Sequence, residues 1–584
     1  MRMKLASILV MVCLAVSPLM SQVQHLEQNW TEEDRQWFYT TPQGSKLIPY
    51  AWAVALERAD SAELFVTGLE RFGFLPNGAG NLPVGLVQDG QHLGMTCAAC
   101  HTNQVAYRGT TWQIDGGPTN ADLWEFLDDL GDSLRATTAG ASSPKFRQFA
   151  QRVLGSGDTP ANRAKLWREL NAFEDYYSGF IAASRPTTVW GKSRTDAFGM
   201  IFNRVTAIDL KVPANSRRPN QPVSYPFLWD TGWHNKVQWN GSAPNSFAIE
   251  RLARNVGEVL GVFAEVELRK PTLLHWYYAS TANRRNLLEI EDRLADLRSP
   301  KWPAALGAID TVRAARGQTL YNQQCVSCHK IATPGRHQDI VMTPLTEVNT
   351  DPWMARVAHE RMAQTGVLKG VKEYLIFGPR MTAQEAAGTI TFNAVIGAIL
   401  SPVTLSGSTT PSVAAASSTA PLPGADADRD DPDRARLRAL LFTEPRRGDV
   451  ASAPTDPSDT APRAQLETML KALGARHTTT RNTDASLAYK ARPLDGIWAT
   501  APYLHNGSVP SLWDLLLPVA QRPKKFYVGN RELDPINVGF VSTPGEGLFL
   551  FDTSIHGNSN NGHEWGTTLS NEERRDLVEY LKSL

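Results

Sequence analysis

The feature that most constrains this chain is a five-residue pattern that occurs twice, as Cys97-Ala98-Ala99-Cys100-His101 and as Cys325-Val326-Ser327-Cys328-His329. Two cysteines separated by two residues, with a histidine directly after the second, match covalent attachment of c-type haem. The thiols add to the haem vinyl groups, and the histidine binds the iron. The two motifs use four of the five cysteines in the chain. Two copies predict two covalently bound haem c groups, held by Cys97, Cys100, Cys325 and Cys328, with His101 and His329 as iron ligands.

The fifth cysteine, Cys13, lies in an apolar run from Leu5 to about Leu14 that follows Arg2 and Lys4 and precedes the small residues Ser17 and Ser21. That order reads as a secretory signal peptide over residues 1–21. Cys13 would leave with it, and Val12 before it argues against a lipid anchor there. No later stretch reaches 18 uninterrupted apolar residues, so no membrane span is expected and the destination is periplasm or secreted. Export raises the rival reading of two disulfides. The repeated spacing and the two histidines favour haem over that pairing. They also favour it over structural zinc, which seldom needs histidine at the next position in both pairs, and over a redox CxxC, which lacks a thioredoxin-like βαβ surround.

The 584 residues are 42% hydrophobic and 20% charged, which suits a folded protein of two to four domains. Lys plus Arg and Asp plus Glu both number 59. The net charge of zero offers no field to gather nucleic acid or an anionic membrane, so no nucleic-acid partner is expected.

His101 and His329 are too far apart in sequence for one small cytochrome, so two haem domains are expected, over 22–300 and 301–584. In the second, RGQTLYNQQCVSCH reads as a helix that turns Leu320 and Tyr321 to one face and runs into the motif. SNEERRDLVEYLKSL reads as its crossing partner, with Ser570 and Glu573 as a capping box and Leu577, Val578, Leu581 and Leu584 at helical spacing. A further helix starts near Thr31, and segments such as ANRAKLWRELNAFEDYYSGFIAA read as an added helical lobe of the first domain. Residues 402–462 turn to Ser, Thr, Ala, Pro and Asp, which bury too little apolar surface to offset ordering, and read as a disordered insertion. The expected fold is mainly α: two cytochrome c-like haem domains with added helical segments and that insertion.

LGMTCAACHT, IDGGP (Ile114 to Pro118), RNVGEVLG (Arg254 to Gly261), TPLTEVNTDP (Thr343 to Pro352) and APYLHNGSVPSLWDLL (Ala501 to Leu516) together resemble the bacterial di-haem cytochrome c peroxidase superfamily. Length and the N-terminal region look more like its larger rubber-oxygenase-like branch, which contains di-haem oxygenases of polyisoprene and of fatty acids. The resemblance implies a reactive haem at His101 and an electron-transfer haem at His329. A five-coordinate iron leaves room for peroxide or O2, whereas two strong axial ligands block it. In the peroxidases a methionine follows the PYxHxGS histidine by fourteen residues, and here Val519 stands in that place. The bis-histidine second haem of the oxygenase branch points to His563 as the missing ligand, with His505 as the alternative and Met381 behind both; His556 lies in the same Gly/Asn-rich loop as His563.

RNVGEVLG resembles the peroxidase segment that sets a glutamate above the iron, which makes Glu258 the candidate general acid/base. The rival reading is a salt-bridged helix-surface glutamate, and Phe247 and Phe263 flank the segment as candidate pocket walls, although aromatic residues in such places are more often plain core. The expected partners are H2O2 or O2, with a small redox protein or an apolar organic substrate as electron donor. Calcium between the domains is left open. The expected function is an exported di-haem oxidoreductase, peroxidase-like or a dioxygenase of an unsaturated lipid or isoprenoid. A non-catalytic di-haem electron carrier is the alternative, and it would need much less chain.

Overall fold

A computed structural model describes residues 23–78, 81–272, 277–333, 335–375, 377–401 and 487–584, with isolated positions 437, 438, 441 and 471. The signal-peptide reading and nearly all of the 402–462 reading fall outside these residues.

The crossing predicted around the second motif is present. Helix α6 (Thr311–Gln324) leads into Cys325, and α8 (Asn571–Lys582) lies across it. Asp310 caps α6 by accepting from the amides of Val312 and Arg313, each at 3.0 Å. Ser570 and Glu573 form the capping box of α8: the Ser570 amide donates to Glu573 Oε2 at 2.8 Å, and the Glu573 amide donates to Ser570 Oγ at 3.3 Å. Gly317 makes the close approach: a Cβ there would sit 2.0 Å from the carbonyl oxygen of Asp576, so only glycine lets the two backbones meet. Tyr321 packs on Tyr580 with ring centres 5.2 Å apart, and Leu577, Val578 and Leu581 are buried beside them.

Earlier in the chain, α1 (Glu32–Thr40) starts at the Thr31 cap, and the predicted lobe contains α2 (Leu123–Thr138) and the long α3 (Pro160–Ser184). Helix α4 (Ala248–Gly261) buries one face against α5 (Arg284–Asp296) and the apolar α7 (Ala387–Ile399). Helices make up the larger share of the cores, but small sheets are set between them, so the mainly α expectation holds only loosely. The antiparallel pair β1 (Thr102–Tyr107) and β2 (Thr110–Asp115) begins directly after His101. Strand β3 (Val341–Pro344) pairs antiparallel with β4 (Ala488–Ala491). One apolar cluster takes Trp30, Phe38 and Trp112 from the first half and Tyr321, Trp498 and Leu577 from the second, so the two halves share a core.

Candidate haem centres

The two CxxCH turns have the same local build. In the first, the amides of Cys100 and His101 donate to the Cys97 carbonyl at 3.2 and 3.0 Å; in the second, those of Cys328 and His329 donate to the Cys325 carbonyl at 3.1 and 2.8 Å. Each motif therefore folds as one tight turn that presents both thiols and the imidazole together. Each imidazole is also fixed from behind. His101 Nδ1 lies 2.8 Å from the Pro226 carbonyl, and His329 Nδ1 lies 2.7 Å from the Arg492 carbonyl. A carbonyl only accepts, so Nδ1 carries the proton in both rings and Nε2 keeps its lone pair for a metal. Burial keeps both rings neutral: His101 is lowered to about 4, and His329 is lowered as well.

The first turn is enclosed. Ala98 and Ala99 are 1% and 3% exposed, and a Cβ on Gly85 would sit 2.0 Å from the Ala99 nitrogen. That contact leaves room for only a small side chain at Ala99. Cys97 and His101 open onto a small cavity of about 50 Å³ whose walls include Leu228, Ile290 and Leu294, together with Gln238, Arg254, Glu258 and Lys490. Glu258 therefore shares a cavity with His101. Gln238 Nε2 donates to Glu258 Oε1 at 2.7 Å, and Arg254 Nε lies 3.9 Å from the same oxygen. The side chain is 39% exposed, but the space it faces is walled by protein, and burial raises its carboxyl above the usual range against the opposing pull of Arg254. Arg254 is held one turn earlier on α4 by Glu291 of α5. The salt-bridge reading of Glu258 and the cavity reading are thus both true of one residue. Phe247 and Phe263 are not among the cavity walls: Phe263 packs against Phe180 with ring centres 5.6 Å apart, and Phe247 leans on the core of α4 and α7.

At the second turn His563 faces His329, with ring centres 6.0 Å apart. Metal–imidazole bonds of about 2 Å on each side would set two ring centres about 6 Å apart, so the spacing fits two imidazoles on one iron. The loop that carries His563 is held by Arg522, whose guanidinium donates to the carbonyls of Asn560 at 2.7 Å, Gly562 at 2.8 Å and His563 at 3.0 Å. Gly562, at φ +73, passes so close to Val348 that a Cβ would lie 2.2 Å from its carbonyl oxygen. His563 Nδ1 is buried without a partner, and burial lowers the ring to about 3. The other candidates lie elsewhere. His505 stacks on Tyr489 with ring centres 4.0 Å apart, His556 stacks on Trp353 at 4.3 Å, and Met381 is buried in the core of α4 and α7.

Sequence reasoning missed the polar groups between the turns. Lys490 and Arg492 follow one another on and just after β4, and His234 lies near both; burial pulls all three well below their usual values. Nε and Nη1 of Arg492 and both ring nitrogens of His234 are buried without hydrogen-bond partners. The charge of Asp230 acts on Arg492 and that of Glu258 on Lys490, but the orphaned donors of Arg492 still make no hydrogen bond, which is costly for a buried cation. The two carboxylates of a haem would satisfy them, so the residues present fit that group. Two cations two residues apart in an otherwise small and apolar segment, AYKARP, were the available signal.

Comparison with known proteins agrees with this chemistry. Residues 314–392 match the cytochrome c family model, and residues 488–527 match one described as RoxA-like, cytochrome c-like. The first span holds the second CxxCH turn, and the other holds Lys490, Arg492 and His505. The uncharacterized protein y4iJ of Sinorhizobium fredii (strain NBRC 101917 / NGR234) is 31% identical over 639 residues, covering 97% of this chain and 94% of the relative. The uncharacterized protein y4iM of the same strain is 37% identical over 127 residues, covering 18% of this chain and 29% of the relative. With its covalent haem c chemistry and near full-length match, the chain belongs to the y4iJ family, a family of haem-containing cytochrome c proteins.

Proposed function

We propose that the protein is an exported di-haem oxidoreductase, with one haem c on Cys97, Cys100 and His101 and a second on Cys325, Cys328, His329 and His563. On this reading 22–300 and 301–584 are the two haem domains, and the leader over 1–21 directs export. The site at His101 activates peroxide, and the site at His329 relays electrons from a small redox protein. The observation that carries the reading is the cavity shared by His101 and Glu258.

Held there by Cys97, Cys100 and His101, a haem would supply a redox centre able to act on a small oxygen species. The chain's own residues do the rest. Glu258 Oε1, held by Gln238, takes a proton from one peroxide oxygen and returns it to the departing one, which is general acid/base work. Burial leaves its carboxyl poised above the ordinary range, which suits a group that must both accept and donate. Arg254 anchors the helix turn beneath it through Glu291. Leu228, Ile290 and Leu294 keep bulk water from the reacting side.

A second reading, O2-dependent cleavage of an apolar unsaturated substrate, is favoured by the RoxA-like match over 488–527. Glu258→Gln separates the two. A peroxidase loses about 10²- to 10⁴-fold of its peroxide turnover while both haem spectra persist. An oxygenase keeps O2-dependent cleavage of an isoprenoid or unsaturated lipid, and its wild type shows little peroxidase activity. Neither activity in the wild type, with fast reversible electron exchange, identifies a carrier and overturns the proposal.

A further inference from the structure

The two histidines that follow the cysteine pairs are not mounted independently. His101 donates from Nδ1 to the Pro226 carbonyl at 2.8 Å, and the carbonyl of the next residue, Phe227, accepts from Arg492 Nη2 at 2.9 Å. The main-chain carbonyl of Arg492 in turn accepts from His329 Nδ1 at 2.7 Å. A single residue thus grips the strap behind one imidazole with its side chain and supports the other imidazole with its backbone. The contact is reinforced. The guanidinium carbon lies 3.0 Å from the centre of the Phe227 ring, Phe227 stacks on Trp229 at 4.4 Å, and Trp229 Nε1 donates to the Asp495 carbonyl at 2.8 Å. The strap is also fixed at its other side, where the Leu228 amide donates to the Gly116 carbonyl at 2.9 Å.

We propose that Arg492 is a positioning residue shared by both centres, through which a change of iron state at His329 is felt at His101. The proposal rests on the reading that both histidines bind haem iron. An imidazole on a ferric iron is a stronger Nδ1–H donor than one on a ferrous iron, so reduction at His329 relaxes its hold on the Arg492 carbonyl. Because the interior is close-packed and the hydrogen bonds form a chain, that relaxation reaches the Pro226–Phe227 strap and alters the donor bond of His101. Outer-shell partners of metal-bound histidines tune both ring orientation and ligand basicity. The coupling is reciprocal by thermodynamic linkage: reduction at His101 must shift the His329 potential by the same free energy.

The test uses the full-length holoprotein, with haem content per chain first fixed by mass. One covalent haem by mass defeats the two-haem reading itself, before any variant is made. With two haems present, the EPR g values of the ferric His101 centre are compared before and after selective reduction of the His329 centre. A shift is expected in the wild type. Arg492→Met should lose it, and Arg492→Lys, which keeps a charge and one donor for the Phe227 carbonyl, should retain most of it. No shift in the wild type, or a full shift in Arg492→Met with both haems attached, overturns the proposal. If Arg492→Met does not accumulate, Trp229→Phe carries the test. It removes the bond to the Asp495 carbonyl but keeps a ring against Phe227, and it must diminish the shift; an unchanged shift again overturns the proposal.

Discussion

The two CxxCH turns share their main-chain hydrogen bonds and differ in almost everything around them. The first is walled in: Ala98 and Ala99 are buried, and burial pushes the Cys97 and Cys100 thiols up to about 12. The second lies near the surface, with Val326 half-buried and Ser327 exposed, and burial raises Cys325 only to about 11. One local motif therefore yields two kinds of site. Five residues set how a haem is attached, and segments hundreds of residues away set what can reach it. Enclosure with an acid in the wall suits chemistry on a small molecule, and a turn near the surface between two imidazoles suits exchange of electrons.

The largest effect that can sharpen this contrast belongs to His563. His563→Ala should convert one low-spin ferric signal to high spin and move that centre's potential by on the order of 100 mV, because the axial ligand is a principal determinant of it. The His101 centre should keep its own spin state, its g values moving only by the small amount that the Arg492 link transmits. EPR and a redox titration read both, and an unchanged low-spin signal moves the ligand assignment to His505. Next in size is a matched pair of substitutions within the turns. Ala99→Leu forces bulk against the Gly85 backbone and should cost about 1–3 kcal/mol or more of stability. Ser327→Leu, at the equivalent place in the exposed turn, should stay within about 0.5 kcal/mol. Chemical denaturation of the holoprotein compares them, and equal losses would mean that the difference in enclosure has no energetic weight.

The smallest effect is a pH shift. A base works when deprotonated, and burial raises Glu258, so the acid limb of kcat/KM for peroxide should lie at higher pH than an ordinary carboxylate gives. Gln238 donates to the charged form and lowers that pKa. Gln238→Leu should therefore move the limb to still higher pH without changing either haem spectrum. A limb that stays in place, or moves down, detaches Glu258 from the reaction.

Both turns and the capping box at Ser570 were legible in the sequence, because each is decided by residues within a turn or two of one another, whereas the crossing of α6 with α8, about 250 residues apart, was legible only through likeness to the first and last helices of cytochrome c folds. The partner of His329 was legible only through resemblance: no local pattern says that a ring beside the left-handed Gly562 will meet one near Tyr321. The set of groups behind the imidazoles was not legible at all. Arg492 is 163 residues from His329 and 265 from Phe227, and charges on a buried segment announce cost but not destination. The strands after His101 were also missed, since TNQVAY and TTWQID carry too many polar residues for a clean alternation, and the sheet is buried on both sides. Phe247 and Phe263 took the commoner of the two places open to them, since aromatic residues beside a functional helix turn are most often core.

The burial of Ala98 and Ala99 also dictates an order of assembly. Thioether bonds need access to both sulfurs at once, and in the folded first turn Cys97 and Cys100 are only partly exposed, with the Cys97 sulfur against Gln43. On the two-haem proposal, a haem there is joined most easily while the chain is still open, before Gln43 settles on the Cys97 sulfur and Lys490 completes the cavity wall. Contacts of such long sequence separation form slowly, which keeps that window open. The second turn, with Ser327 facing outward, can be loaded later. On the same proposal, a chain matured under haem shortage should lack the enclosed haem more often than the outer one.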